Sequence, residues 1–319
     1  GTHYKYHDEL EYASEAEKWL QMAATESDKL ITSGRYEIYN TGHPQEDYFN
    51  MYRIDDKSDL KEAVLYVDYK TNIREHNMAA AGREAGCGFS KSFVESFLCS
   101  DGLPISLSNK YLGDETMRKE TANRDPRLKQ LILTNDFPTN VTDDLKDSTF
   151  VVNEDEFITQ HCFTGYRPIK GFNPIYSQAL YMKSSFDGIA YRYAETLLIN
   201  AEAKAELNTI TNADLDRTVN QLRDRVGMPH LTVNVGFTDP KWPDWGYSLS
   251  PVLQEIRRER CIELAGEGFR FNDLKRWKAG KLLNNVLTYV GKRKPDGNLA
   301  KVSPNYTNPD LSYQAGKSR

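Results

Sequence analysis

The chain has 319 residues and carries 41 Lys and Arg against 46 Asp and Glu, a net charge of −5. That balance supplies no global positive field to gather phosphate backbones, which disfavours general nucleic-acid binding. The mean hydropathy is −0.67, and no run approaches the ~18 uninterrupted apolar residues that span a bilayer.

The length suits one large or two ordinary domains. The chain opens Gly1-Thr2-His3-Tyr4, with no start Met, basic leader or apolar stretch, so no targeting signal is legible. The polar tail from Lys292 to Arg319 lacks an obvious final element, and the chain reads as a fragment. A helix is expected over 14–33, where Ser14-x-x-Glu17 has the form of a capping box. Ala16, Trp19, Leu20, Ala23, Ser27, Leu30 and Ile31 then recur at helical spacing up to Gly34. From about Tyr36 to Gly188 the signals change to short apolar runs such as 64–67 and 150–152, broken by Gly, Asn, Asp and Pro. Short helices are expected at 90–99 and after Asn123-Arg124-Asp125-Pro126-Arg127, where Asp125 suits an N-cap and Pro126 the first helical position.

Helical periodicity returns at Ile189. Tyr191, Ala194, Leu198, Ala201 and Ala205 predict a helix over 189–207, with Ala203 as a further small side chain for close packing. Its antiparallel partner starts at Thr211-x-x-Asp214, carries Leu215, Val219, Leu222 and Val226, and stops at Gly227. Such a pair is the unit of tetratricopeptide-type arrays, although no fixed repeat period is visible. After a loop over 238–248, Ser250 and Pro251 start a helix to about Ala265. The break Gly266-Glu267-Gly268 precedes a last helix over 269–279.

Helix 251–265 is the most informative segment. At 100° per residue, Leu253, Ile256, Arg257, Arg260, Cys261 and Leu264 share one face. Two arginines on an apolar stripe require carboxylates, because an unpaired buried guanidinium costs several kcal/mol, and Glu263, Glu267 and Asp273 are the local supply. A buried ion-pair network is expected, with no catalytic residues.

Three long segments carry a family likeness: 191–203 (YRYAETLLINAEA), 220–225 (NQLRDR) and 255–277, which includes EIRRERCIEL and EGFRFNDLKRW. With Asn123–Arg127 in the expected order, they resemble the SusD/RagB family. The resemblance implies a mostly α fold of tetratricopeptide-like helix pairs, at about 14–33 and 189–281, in a single SusD-like domain. An irregular, loop-rich half with a few short strands, about 36–188, would face the ligand. It further implies a non-enzymatic, surface-exposed lipoprotein of the Bacteroidetes outer membrane. Such a protein catches glycans, or in some members peptides, and delivers them to a SusC-like TonB-dependent transporter. The chain departs from the family pattern in lacking the lipid-attachment cysteine, the first helical repeats and the usual Pro- and Asn-rich ending.

A glycan site pairs aromatic planes, on which sugar C–H faces lie, with Asn, Asp, Gln or Arg for the hydroxyls. The Pro/Gly-rich loop over 239–247 offers Trp242 and Trp245, and the irregular half offers Tyr69, His76, Asn77 and Tyr111. Trp19 and Trp277 fall at apolar helical spacing and are expected in the core. Cys87, Cys99, Cys162 and Cys261 match neither a metal nor a redox motif, leaving buried thiols or one Cys87–Cys99 bridge. No cofactor or metal site is expected: Glu75-His76 lacks the second His of a zinc motif, and no phosphate-cradling Gly loop or nucleophile elbow is present. Asn153-Glu154-Asp155-Glu156 reads as a solvated acidic turn, with Ca²⁺ as the alternative. A protein-binding helical scaffold is the rival from another class, and a two-carboxylate glycosidase ranks third.

Overall fold

In the computed structural model, which describes residues 1–7, 12–79 and 88–303, the apolar stripes become stacked helices and the segment between them winds into loops with short strands. In chain order the elements are α1 (Thr2–Tyr6), α2 (Ala16–Thr32), α3 (Asp47–Asn50), β1 (Ala63–Val67), α4 (Lys91–Glu95), α5 (Met117–Thr121), α6 (Arg127–Leu131), β2 (Pro138–Val141), β3 (Ser148–Phe150), α7 (Tyr176–Ala179), β4 (Gly188–Arg192), α8 (Tyr193–Glu206), α9 (Asn212–Asp216), α10 (Val219–Arg225), α11 (Pro251–Glu263), α12 (Arg270–Arg276), β5 (Val290–Arg293) and β6 (Leu299–Lys301). The strands form three antiparallel pairs, β1 with β4, β2 with β3 and β5 with β6.

The helical core gathers Leu197, Leu198, Ala201, Leu215, Val219, Leu222, Leu253 and Ile256. Small side chains on α8 let α2 approach closely. There Asn200 Nδ2 donates to the Ala24 carbonyl and to Ser27 Oγ, both at 3.0 Å. A second core, with Phe97, Met117, Leu131, Phe157, Tyr166 and Phe172, fills the irregular half.

Several elements differ from the sequence reading for identifiable reasons. Residues 188–192 extend as β4, with Tyr66 opposite Ile189 and Ala63 opposite Arg192, so the helix starts only at Tyr193 and Tyr191 is 56% exposed. The expected helix over 211–226 is two helices, because Thr218 leaves helical geometry at φ −131°, ψ −96°. Its hydroxyl donates to the Asp214 carbonyl at 2.6 Å, an alternative to the helical ladder. Thr211 and Asp214 do form the capping box. Gly227, at φ +66°, closes α10 while Met228 N–H reaches back to the Arg223 carbonyl at 2.9 Å, the bond of a Schellman end. Ser14 makes no cap. Ala13–Glu15 is instead a single 3₁₀ turn leading into α2. Helix α4 ends at Glu95, four residues before Cys99. Pro126 is the residue before α6, while Asp125 Oδ1 still accepts the Arg127 N–H at 3.0 Å. Trp277 is fully buried, whereas Trp19 is 39% exposed, its indole N–H given to Glu15 at 3.2 Å. Cys99, Cys162 and Cys261 are free thiols, and Cys87 lies outside the described residues.

Charges fill the seam between the two halves. Glu263 receives Arg225 Nη2 at 2.6 Å, Arg192 Nη1 at 2.6 Å and Arg127 Nη1 at 3.0 Å. Glu62, fully buried, takes Arg192 at 2.9 Å. Glu267 takes Arg192 at 2.7 Å and Lys170 at 2.6 Å. Of the two stripe arginines of α11, Arg260 finds one of the expected acids and Arg257 a more distant one. Arg257 donates to Glu206 at 2.8 Å and lies 4.5 Å from the Trp277 ring. Arg260 pairs with Asp273 at 2.9 Å. Glu263 and Glu267 thus serve guanidiniums from α6, β4 and α10 rather than from α11, and within the seam these buried charges meet their complements.

The β5–β6 hairpin is fastened by Lys292 N–H to the Thr164 carbonyl at 2.8 Å. A Cβ at Gly291 would lie 2.0 Å from that carbonyl oxygen, which is backbone and cannot yield. Gly291→Ala is therefore expected to cost at least the ~1–3 kcal/mol of an overpacked core, measured as a lower urea midpoint.

Candidate ligand-binding site

Two loops of the irregular half are pinned into one surface. Residues 68–79 leave β1 and residues 174–187 lead into β4, so the antiparallel pairing of those strands brings the loops together. A further bridge joins His76 to Ser184, whose N–H groups donate to each other's carbonyls at 2.9 and 3.1 Å. Buried Asp187 accepts the Tyr69 N–H at 2.7 Å and the Lys57 N–H at 2.9 Å. Asn77 Oδ1 accepts the Met182 N–H at 3.0 Å, and Lys183 pairs with Glu75 at 3.0 Å.

Tyr69, His76 and Asn77 therefore share one site. The His76 ring is held on both sides: Nδ1 accepts the Met78 N–H at 3.1 Å, so Nε2 carries the proton given to the Phe186 carbonyl at 2.8 Å. Burial, the largest cause, keeps the imidazole below its ordinary pKa, and the neutral ring packs edge-on to Tyr69 and Phe186. The Arg74 guanidinium lies 4.9 Å from the Tyr69 ring centroid, so Tyr69 and His76 form the floor. On the facing loop Tyr176 and Tyr181 are 50% and 75% exposed, with Ile73, Met78 and Met182 also exposed. Those two tyrosines and Arg74 were missed in the sequence. The spacing of Tyr176, Gln178 and Tyr181 behind Pro174 in a Pro- and Ser-containing loop was the available signal.

The other expected site residues lie elsewhere. Trp245 is 4% exposed, gives its N–H to Gln254 at 2.6 Å and packs edge-on against Trp277. A ring enclosed in this way offers no face to a sugar, so its expected ligand role is corrected to a core one. Half-buried Trp242 gives its N–H to Glu255 at 2.7 Å and lines a cavity of about 900 Å³ with Phe89, Phe93, Phe269, Leu282 and Leu287. Most rim charges of that cavity are paired among themselves, Lys241 with Glu95, Lys281 with Asp244 and Arg258 with Asp239. Few polar groups are left there for a hydroxyl-rich ligand. Tyr111 stands under the Arg124 guanidinium at 5.3 Å, and burial, the largest cause, pushes its phenol up to about 12. It belongs to an interior cluster in which Glu120 accepts from Tyr166 at 2.7 Å and Lys91 at 3.2 Å. The acidic turn at Asn153 closes on itself as a capping box with Glu156, and Glu154 takes the Met117 N–H and Lys292. Among the described residues no group of three His, Cys, Asp or Glu is placed to hold a metal ion.

The sequence pattern of the SusD family matches residues 26–315. The chain belongs to the SusD family. Solved SusD-like proteins share its fold. One from Bacteroides fragilis aligns with a TM-score of 0.63 at 23% identity, over 93% of this chain and 58% of its own. A SusD-like carbohydrate binding protein from the same species gives 0.62 at 22% identity, over 91% and 57%. A SusD superfamily protein from Bacteroides vulgatus gives 0.52 at 18% identity, over 95% and 54%. The chain thus spans less than two thirds of the length of these SusD relatives. None of the curated proteins matches it. As the SusD resemblance implied, the fold is mostly helical with a few short strands. Among its described residues no helix is long and apolar enough to cross a membrane.

Proposed function

We propose that the chain is a non-catalytic glycan-binding protein that holds an oligosaccharide or polysaccharide on the surface built by residues 69–79 and 174–187. On this reading it works at the bacterial outer membrane, tethered by a lipid anchor, and passes its cargo to a SusC-like TonB-dependent transporter. The observation that carries the reading is the pair of exposed tyrosines, Tyr176 and Tyr181, on a loop tied to the one that carries Arg74 and Asn77 by the His76–Ser184 bridge and the Met182–Asn77 bond. Pinned loops lose little freedom when a ligand arrives, which favours affinity. Membership of the SusD family, and a solved relative described as a SusD-like carbohydrate binding protein, support the choice of ligand.

The test is affinity electrophoresis through gels containing individual polysaccharides, a neutral panel and an acidic one, with the polymer recovered and sized afterwards. Retardation without depolymerisation is the expected result. Tyr181→Ala is expected to weaken it by about tenfold or more, the loss of roughly one ring contact of ~1.4 kcal/mol, with no change in melting temperature. Unretarded migration through the whole panel, neutral and acidic, would overturn the reading. Release of new reducing ends would revive an enzyme.

A further inference from the structure

We infer that the glycan held on this surface is an acidic one, recognised through Lys70 and Arg74; the inference rests on the glycan-binding reading above. The two cations close a tight turn. Lys70 N–H donates to the Arg74 carbonyl at 2.8 Å and Arg74 N–H to the Lys70 carbonyl at 2.9 Å, with Asn72 between them in the left-handed region at φ +62°. Residues directly opposite in an antiparallel pair project to the same face, about 5 Å apart at Cβ, and like charges placed so destabilise the pairing. In the seam the buried arginines Arg127, Arg192 and Arg225 are matched with carboxylates, yet neither Lys70 nor Arg74 has an ion-pair partner among the described residues. The acid nearest in the turn, Glu75, is occupied: it accepts the Asn72 N–H at 3.2 Å and holds Lys183 at 3.0 Å. Asp187 is buried and spent on the Tyr69 and Lys57 backbone N–H groups. Exposed Asp68 precedes the turn and forms no ion pair with either cation.

Two cations on one face, without an ion pair among the described residues, are relieved by an anion placed between them. The Arg74 guanidinium is already oriented by its stack on Tyr69, so its planar fork is ready for a carboxylate or sulfate. The tyrosines beside it would carry the sugar ring while the charge is taken at the turn. Uronic acids and sulfated sugars share this chemistry, and one pair of probes is needed for each.

The experiment measures gel retardation by polygalacturonate and its carboxyl-reduced counterpart, and by chondroitin sulfate and its desulfated form, using the wild type, Arg74→Gln, Lys70→Gln and Tyr181→Ala. Lys18→Gln, on the exposed side of α2, controls for the loss of one charge. The acidic member of at least one pair is expected to bind better than its neutral partner. Arg74→Gln is expected to lose that preference by about tenfold or more, the scale of one charge-assisted hydrogen bond, at unchanged melting temperature. The preference is also expected to collapse near 1 M salt, where the screening length is ~3 Å. Equal or better binding of the neutral member in both pairs overturns the acidic assignment. So does an Arg74→Gln preference equal to that of Lys18→Gln. The neutral panel shows which reading has failed. Binding there with none to the polyanions removes the acidic assignment alone, whereas binding to nothing removes the glycan reading with it.

Discussion

Glu263→Gln is expected to lower the unfolding free energy by about 3–5 kcal/mol, the scale of breaking a buried ion pair from one side. Burial alone would push the Glu263 carboxyl up, but Arg225, Arg192 and Arg127 outweigh it and hold it well below the usual carboxylate range. Its backbone carbonyl is also engaged, by Tyr48 Oη at 2.6 Å and Arg192 Nη2 at 2.6 Å. The amide removes the negative charge that three guanidiniums share and turns N–H groups toward them. Glu62 and Glu267 remain for Arg192, and Glu62 alone remains for Arg225, at 3.4 Å. The urea midpoint should therefore fall steeply for Glu263→Gln and by less for Glu267→Gln, whose side chain is 18% exposed at the rim. It should not move for Glu37→Gln, whose partner Lys61 is exposed. A Glu263→Gln midpoint equal to that of Glu37→Gln would show that the charge cluster contributes nothing to folding. If the Glu263 variant does not fold at all, the ordering of Glu267→Gln against Glu37→Gln carries the same test.

Acid is expected to destabilise the protein progressively as the pH falls below about 4.5. Burial raises Glu202 and Glu267, but Arg276 in the first case, and Arg192 with Lys170 in the second, reverse it and bring each to about 2 from 4.5. A folded-state value below the unfolded one means that the stabilisation is complete above about pH 4.5 and lost as the pH falls through about 2. Each buried carboxylate contributes about 3 kcal/mol on this basis, against a typical total of ~5–15 kcal/mol. Glu263 acts in the same direction. Glu120 and Glu195 act oppositely, since burial, their largest cause, raises them. The net expectation is a urea midpoint that falls sharply between about pH 5 and pH 3, followed by tryptophan fluorescence. An unchanged midpoint across that interval would contradict it.

How much of this was legible in the sequence depends on how far each partner lies along the chain. Ser250, Pro251 and Gly266 bracket α11 locally, and α11 appears where they place it. Arginines on its apolar stripe announced buried pairing, but Arg257 finds Glu206 and Glu263 finds Arg127, partners supplied by other elements that no helical wheel displays. The strand at 188–192 was hidden for the same reason, since β1 lies more than a hundred positions earlier and its pairing overrides a helical pattern. Trp245 misled because a Pro/Gly loop reads as exposed, whereas its indole has Trp277 to cover it. In the candidate site, Tyr69, His76 and Asn77 could be nominated from residue type alone. The tie to the loop of Tyr176 and Tyr181 could not, because it runs through the backbone of Ser184 and the carboxylate of Asp187.

The seam of charges also bears on how the polypeptide is made. Tyr48 hydrogen-bonds a carbonyl 215 positions later, and the carboxylate of that same late residue neutralises guanidiniums contributed by three earlier segments. During translation those cations emerge before this shared counter-ion, with only Asp125 and Glu62 of their buried partners already made. Native structure then waits for the last third of the chain to leave the ribosome, and the nascent product depends until that moment on whatever shields it from aggregation.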